Sequence, residues 1–314
     1  MGKIIGIGNA IVDVLCKVED SFLEKNNLIK GSMSLIDEVT AKNLSELKPE
    51  KITSGGSVGN TIAALAQTGA SAAFIGKVGS DEFGSRFISE IEKTGASFIG
   101  DNSYKKPSAK SFILVTPDAQ RTMCTFLGCA SDISQDLVNE KDFKNLEIFY
   151  TEGYLWDSGQ NSEVIVRAID IAKNNGGKIA FSLSDAFCVS RHKKDFLELI
   201  SSKIDIIFAN ENEAVELVEA KNFADEKLRN FFNSMPEKVF IVTRSEKGCV
   251  IFHMGKIIKI PAAKIAKIID STGAGDAFAA GFLNKFLENK PLQNCGEFGN
   301  ELAGKIIQQF GARF

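Results

Sequence analysis

Short apolar runs alternate along the chain with longer stretches whose apolar residues recur every three to four positions. Ile4–Gly8, Ala72–Val78, Glu147–Thr151, Lys178–Leu183, Asp205–Ala209 and Lys238–Thr243 are rich in β-branched and aromatic residues and predict strands. Val58–Thr68, Phe83–Lys93, Glu163–Asn174, Lys193–Ser202, Glu213–Val218 and Asp225–Phe232 predict the helices between them. This alternation predicts βαβ units, and hence an α/β fold: a mostly parallel central sheet flanked by helices. The near-continuous apolar run Ile204–Ala209 suits a strand buried on both faces.

Two regions break the rhythm. Ile11–Val18 and Ser32–Ile36 are extended, with no helix expected between them. Ala109–Thr116 and Arg121–Leu127 flank Pro117-Asp118-Ala119-Gln120, whose Pro and Asp favour a turn, so a hairpin is expected. Together these pieces predict a small β-sheet lid, drawn from about residues 11–36 and 97–127, on a single domain spanning residues 1–314. Gly248–His253 and Gly255–Ile260 predict a second hairpin near the far edge of the main sheet.

Composition narrows the function classes. The 314 residues are 44% hydrophobic and 25% charged, ordinary for a folded α/β chain. Lys+Arg is 37 against Asp+Glu 40, a formal net charge of −3, so neither nucleic acid nor a membrane surface is an expected partner. The first apolar run is short, is cut by Asn9 and Asp13, and has no cleavage-site pattern; no signal peptide and a cytoplasmic location are the expectation. Six scattered cysteines without a Cys-x-x-Cys suggest reduced thiols, and only two histidines make a histidine-based metal site or triad improbable.

The chemistry concentrates in Ile268-Ile269-Asp270-Ser271-Thr272-Gly273-Ala274-Gly275-Asp276. This segment leads into a predicted helix, Ala277–Glu288, with Phe278, Phe282 and Phe286 on one face. A helix N-terminus offers unpaired N–H groups and the positive end of a dipole, and glycines let an anion approach closely. Gly273, Ala274 and Gly275 are candidates for stabilising charge on a transferred phosphoryl group, and Asp276 for general base. Taken alone, these residues favour the plainer reading of a helix start capped by an acid.

The longer string, Asp270 to Phe282, resembles the C-terminal signature of the ribokinase-like (PfkB-type) carbohydrate and nucleoside kinases. Gly55-Gly56-Ser57-Val58-Gly59-Asn60-Thr61-Ile62-Ala63, followed by Phe74 to Gly84, resembles the N-terminal signature, and the likeness runs over essentially the whole chain. It implies a ribokinase-like fold and ATP with Mg²⁺. The first signature would hold the acceptor, the second the phosphates and the base.

By that resemblance Asn9, Asp13, Gly55, Gly56 and Asn60 would bind sugar or ribose hydroxyls, a task that suits a carboxylate, an amide and close-approach N–H groups. Arg121 would swing over the phosphates as the lid closes, or else is a solvated turn arginine. Asn210 and Glu213 look like an Asn-x-x-Glu motif tied to Mg²⁺ through water, and are also a capping box. Thr243 and Gly248 would contact nucleotide phosphates or ribose, although Ser245 stands where the family often has glycine. Asn300 and Ala303 would flank the adenine, and Asp270, Thr272 and Gly311 sit where some relatives bind K⁺.

Arg121-Thr122-Met123, Gly128-Cys129-Ala130, Tyr150 to Leu155, Ser182 to Phe187 and Phe208 to Glu211 lean toward the adenosine-kinase-like branch. Phe187 could stack on a purine or sit in the core. Adenosine, phosphorylated to AMP, is the leading expected substrate, with ribose, fructose or a related sugar as the alternative; a monomer and a homodimer are both open. A dehydrogenase is disfavoured because Gly6-Ile7-Gly8 lacks the third glycine of the fingerprint, with Ile at position 11. A Walker-type NTPase lacks its defining string. A non-catalytic sensor on the same fold would be expected to have lost Asp276 or its glycines, which are intact.

Overall fold

The computed structural model describes residues 2–100, 102, 105–118, 120–158 and 161–314. In chain order the first half comprises β1 (Lys3–Ile7), β2 (Ile11–Lys17), α1 (Asp20–Lys25), β3 (Met33–Leu35), α2 (Glu38–Leu44), β4 (Lys51–Ser54), α3 (Ser57–Gln67), β5 (Ser71–Ile75), α4 (Glu82–Glu92), β6 (Ser97–Ile99), β7 (Ala109–Val115), β8 (Arg121–Phe126) and β9 (Leu146–Glu152). It continues with α5 (Asn161–Asn174), β10 (Lys178–Ser182), α6 (Ala186–Ser202), β11 (Ile206–Asn210), α7 (Glu211–Val218), α8 (Glu226–Asn233), β12 (Val239–Thr243), β13 (Cys249–His253), β14 (Lys256–Ile260), α9 (Ala274–Leu287) and α10 (Leu292–Ile306).

The large sheet has the order β14-β13-β12-β11-β10-β9-β1-β5-β6. It is parallel from β6 to β12, and the β13–β14 hairpin closes one edge antiparallel. Strand alternation sorts its side chains into two cores. Ile5, Phe149, Phe181 and Ile207 face one side. Ile4, Ile148, Tyr150 and Phe208 face the other, where Phe278 and Phe282 of α9 pack. Both faces are covered, as the apolar strands require. From β1 the chain builds the sheet outward through β5 and β6, then restarts on β1's other side with β9. That reversal is a topological switch point, where open α/β sheets place a crevice at the strands' carboxyl ends.

The small sheet has the order β3-β8-β7-β2-β4. Its period-two pattern puts Val14, Cys16, Phe112, Leu114, Cys124 and Phe126 on one face, where Leu23 of α1 and Ala41 and Leu44 of α2 bury them. Ile11, Asp13, Ser111, Met123 and Thr125, on the opposite face, border a cavity. The six cysteines are all free and buried, as expected.

Several expectations are corrected. A short helix, α1, does lie between the first two lid strands. One edge of the lid is the unexpected strand β4, paired antiparallel with β2. Ser97–Ile99 pairs with β5 and belongs to the main sheet rather than to the lid. α6 starts at Ala186, seven residues before the expected Lys193, because Asp185 caps it by accepting from the Cys188 N–H at 2.7 Å. β7 and β8 pair antiparallel as the expected hairpin; Ala119 of its turn lies outside the described residues.

Gly248 has φ +81°, and a Cβ there would stand 2.0 Å from the Ile260 carbonyl oxygen. Its glycine is therefore explained by the close approach of the β14 end. Gly248→Ala should cost roughly 1–3 kcal/mol, read as a lower midpoint in urea denaturation; an unchanged midpoint would contradict the backbone assignment.

Candidate active site

One cavity of about 540 Å³ runs from the lid across the carboxyl ends of the main strands to α7. That size is in the range of small-molecule sites. It brings together Asn9, Asp13, Gly56 and Asn60 at one end, Asn210, Glu213 and Thr243 at the other, and Arg121 and Thr272 to Asp276 between them. Ile11, Met33, Leu35, Met123 and Leu127 add apolar walls.

Asp276 stands at the third position of α9, after Gly273 as N-cap in the left-handed conformation, φ +76°. Its Oδ1 accepts from Ser57 Oγ at 2.8 Å and its Oδ2 from Asn60 Nδ2 at 2.9 Å. These contacts join residues more than two hundred positions apart, so the two signature segments form one site. Loss of water at the cavity floor pushes the Asp276 carboxyl up to about 6, opposed by the Asn60 and Ser57 hydrogen bonds and the Arg313 charge. Gly275 and Asp276 lie in the first turn, where no helix carbonyl precedes their N–H groups. The Ala274 N–H is instead turned to the Ser271 carbonyl at 3.2 Å, which narrows the expected amide cradle. A Cβ on Gly275 would meet nothing within 4 Å, so packing does not require this glycine.

Around the start of α3 several polar groups are underused. Among the described residues, Asn9 Oδ1, Thr151 Oγ1, Glu152 Oε2 and Arg313 Nη1 are buried without a hydrogen-bond partner. Buried polar atoms are normally satisfied. Asn9, two residues beyond β1, and Glu152, the last residue of the adjacent β9, both line the cavity at the switch point. Burial first, then the Asp276 charge, pushes Glu152 up to about 7. Asp13 is raised to about 7 by burial, against the Arg313 charge and with Asp276 adding to the rise.

Glu213 is buried and closes a capping box with Asn210: its carboxylate accepts from the Asn210 N–H at 2.9 Å, and its own N–H donates to Asn210 Oδ1 at 2.9 Å. Burial pushes it up to about 7. Both expected readings of this pair thus share one geometry, a cap whose carboxylate lines the cavity. Ser245 holds φ +50°, a left-handed backbone that glycine adopts more readily than serine.

Other expected residues stand elsewhere. Gly55 lies beside the cavity, its carbonyl accepting from Arg313 Nη2 at 2.9 Å. Gly248 has the turn role given above. Asn300 is buried and donates to the Pro261 carbonyl at 2.9 Å. Ala303 packs into the core beneath the sheet, and Ala263 and Ile265 close against neighbouring Gly304. Phe187 is 78% exposed in the first turn of α6, outside both core and cavity. Asp270, Thr272 and Gly311 do converge: Asp270 accepts from the Thr272 N–H at 2.8 Å and the Gly311 N–H at 2.9 Å. The cation beside that carboxylate is the Arg121 guanidinium, at 2.6 Å. Arg121 therefore ties lid strand β8 to the loop before α9.

Sequence reasoning missed Glu152, Ser57 and Arg313. Ser57 sat inside the quoted motif, and Glu152 directly follows the expected strand Glu147–Thr151, inside the quoted Tyr150 to Leu155 stretch. Arg313 gave no pattern of its own.

A crevice at a switch point, an acid at a helix N-terminus and a sheet lid define an α/β kinase that phosphorylates a hydroxyl group. The chain belongs to the pfkB family of carbohydrate kinases, whose model matches residues 25–314. It is similar to the crystal structure of an adenosine kinase from Sinorhizobium meliloti, 38% identical, with a TM-score of 0.92, covering 100% of this chain and 96% of that one. A probable sugar kinase from Rhizobium etli CFN 42 is 37% identical with a TM-score of 0.92, over 99% and 94% of the two chains. An adenosine kinase from Dictyostelium discoideum is 26% identical over 329 residues, 99% of this chain and 96% of that protein.

Asp13 ionises at 3.8 ordinarily and at about 7 in the fold, so its charge destabilises the ligand-free protein as pH rises between those values. The stability gained by Asp13→Asn over the parent should therefore grow across that window and level off above it. Thermal melts at stepped pH check this; a gain independent of pH would contradict the burial of Asp13.

Proposed function

We propose that the protein is an adenosine kinase: it transfers the γ-phosphoryl group of ATP to the primary hydroxyl of adenosine, giving AMP. The observation that carries this reading is one cavity in which Asp276 stands between an acceptor end and a nucleotide end. The apolar lid wall of Met33, Leu35, Met123 and Leu127 offers a surface for a flat base. The unpartnered Asn9 and Glu152 oxygens, with Asp13, suit the ribose hydroxyls. Two relatives of full length are named adenosine kinases. The relative named a probable sugar kinase keeps phosphorylation of a free sugar as the second reading.

In this reading Ser57 and Asn60 aim the Asp276 carboxylate at the acceptor hydroxyl, and Asp276 takes its proton as the oxygen attacks in line. The Gly275 and Asp276 amides receive the phosphoryl oxygens, at a point where the missing Cβ leaves room. Glu213 and Asn210 supply hard oxygen donors near the nucleotide, a set that fits hydrated Mg²⁺; such an ion neutralises phosphate charge when bound. Arg121 holds the lid to the catalytic loop, so water is excluded when both substrates are in place. A K⁺ ion near Asp270 would share that carboxylate with the Arg121 guanidinium.

Asp276→Asn should bind ligands but lose roughly 10²–10⁴-fold in kcat, measured by ADP release; near-parental turnover would refute its role as base. In the parent, kcat/KM should fall as pH drops through about 6, because protonating Asp276 removes the base. Gly275→Ala separates catalysis from folding. It should leave the melting temperature unchanged or higher, yet lower kcat on the order of 10²-fold; unchanged kcat would remove the cradle from the account. A screen of adenosine, inosine, ribose and fructose decides the acceptor, with ribose or fructose turnover alone favouring the sugar reading.

A further inference from the structure

Asn60 has two polar ends, and only one of them can usefully face Asp276. A neighbour that can only donate settles the choice. Arg313 Nε stands 3.1 Å from Asn60 Oδ1, and a guanidinium has no acceptor. The amide oxygen therefore turns to Arg313 and the NH₂ group to Asp276. With its oxygen engaged there, Asn60 acts on the base at least as much as on any acceptor hydroxyl.

The guanidinium is itself fixed on several sides. Its Nη2 donates to the Gly55 carbonyl at 2.9 Å, and it lies over the Phe87 ring, 5.5 Å from the centroid. Helix α3 leaves it space with Gly59, where a Cβ would stand 3.0 Å from Nη2. The segment carrying Arg313 interlocks with the catalytic loop. Gly311 donates its N–H to Asp270 at 2.9 Å, and a Cβ on Gly273 would meet the Ala312 Cβ at 2.6 Å. Gln309 Nε2 donates to the Arg313 carbonyl at 2.7 Å.

The charged groups facing Arg313 are Asp13 from β2, Glu90 from α4 and Asp276 from α9. Glu90 is already met by Ser54 and Arg86. Asp276 in turn faces Asp13, Glu152 and Tyr150. Arg313 is thus a buried positive group that acts on both acids of the acceptor end.

We infer that Arg313 is a positioning residue for phosphoryl transfer: it holds the Asn60 oxygen so that the amide's donor aims Asp276 at the acceptor and keeps it ionised. This rests on Asp276 being the base, as proposed above.

The test compares the parent with Arg313→Met, which removes charge and donors, and Arg313→Lys, which keeps charge but loses the fork. Three readouts are used: kcat with KM for adenosine, the pH dependence of kcat/KM, and the ¹³C carboxyl titration of Asp276 in ligand-free protein, assigned with Asp276→Asn. Arg313→Met should lower kcat on the order of 10²-fold, as misaimed catalytic groups do, and move both the acid limb and the Asp276 midpoint to higher pH. Arg313→Lys should restore the midpoint while recovering kcat only in part. A folded Met variant with parental kcat and an unmoved midpoint would overturn the inference, even if it melted earlier. If the Met variant does not fold, the Lys variant decides, and parental kcat there overturns it. The titration needs no turnover, so a parent inactive on every acceptor would sink the proposed function while the midpoint shift still judged Arg313.

Discussion

Everything at this site depends on a carboxylate held at the floor of a cavity by two donors from a distant part of the chain. Ser57 and Asn60 come from the start of α3, and Asp276 from the start of α9. Neither helix start is a site alone. The fold makes them one by packing α3 and α9 side by side on the same face of the sheet, where Ile62 and Phe278 share a core. The carboxyl is then dry enough to be raised to about 6 and hydrogen-bonded enough to stay ionised at neutral pH.

A second constraint is electrostatic crowding. Asp13, Glu152, Glu213 and Asp276 all line one cavity, and burial raises each of them. Such an arrangement costs stability in the ligand-free protein and is the kind of strain functional sites carry. Hydroxyl donors at one end and a cation with phosphates at the other would relieve it. The basic groups nearby offset this crowding: Arg121 neutralises Asp270 across the lid, and the buried Arg313 charge acts on both Asp13 and Asp276.

The main sheet was legible because its strands bury both faces and therefore read as apolar runs, and because α9 carries phenylalanines at helical spacing. The lid was legible in its hairpin and its β3 edge but not in its β4 edge. β4 has the pattern Lys-Ile-Thr-Ser, too short and polar to announce a strand, and α1 and α2 are each under eight residues. Residues in the two signatures were found because the longer strings resemble those of a known family; the glycines and the acid alone favoured a plain helix start. Gly248, Asn300 and Ala303 carried chemistry only by resemblance; each has a packing or backbone role that sequence cannot separate from binding. Glu152 and Arg313 were invisible for a different reason, since a single charged residue becomes informative only when tertiary contacts bury it.

The central claim is that Asp276 and the first-turn amides of α9 face one point from opposite substrates. A crystal structure with adenosine and a non-hydrolysable ATP analogue tests it most directly. The account predicts the acceptor's primary hydroxyl within hydrogen-bond reach of the Asp276 carboxylate and the terminal phosphate against the Gly275 N–H. An acceptor hydroxyl turned away from Asp276, with the phosphates bound elsewhere, would contradict it.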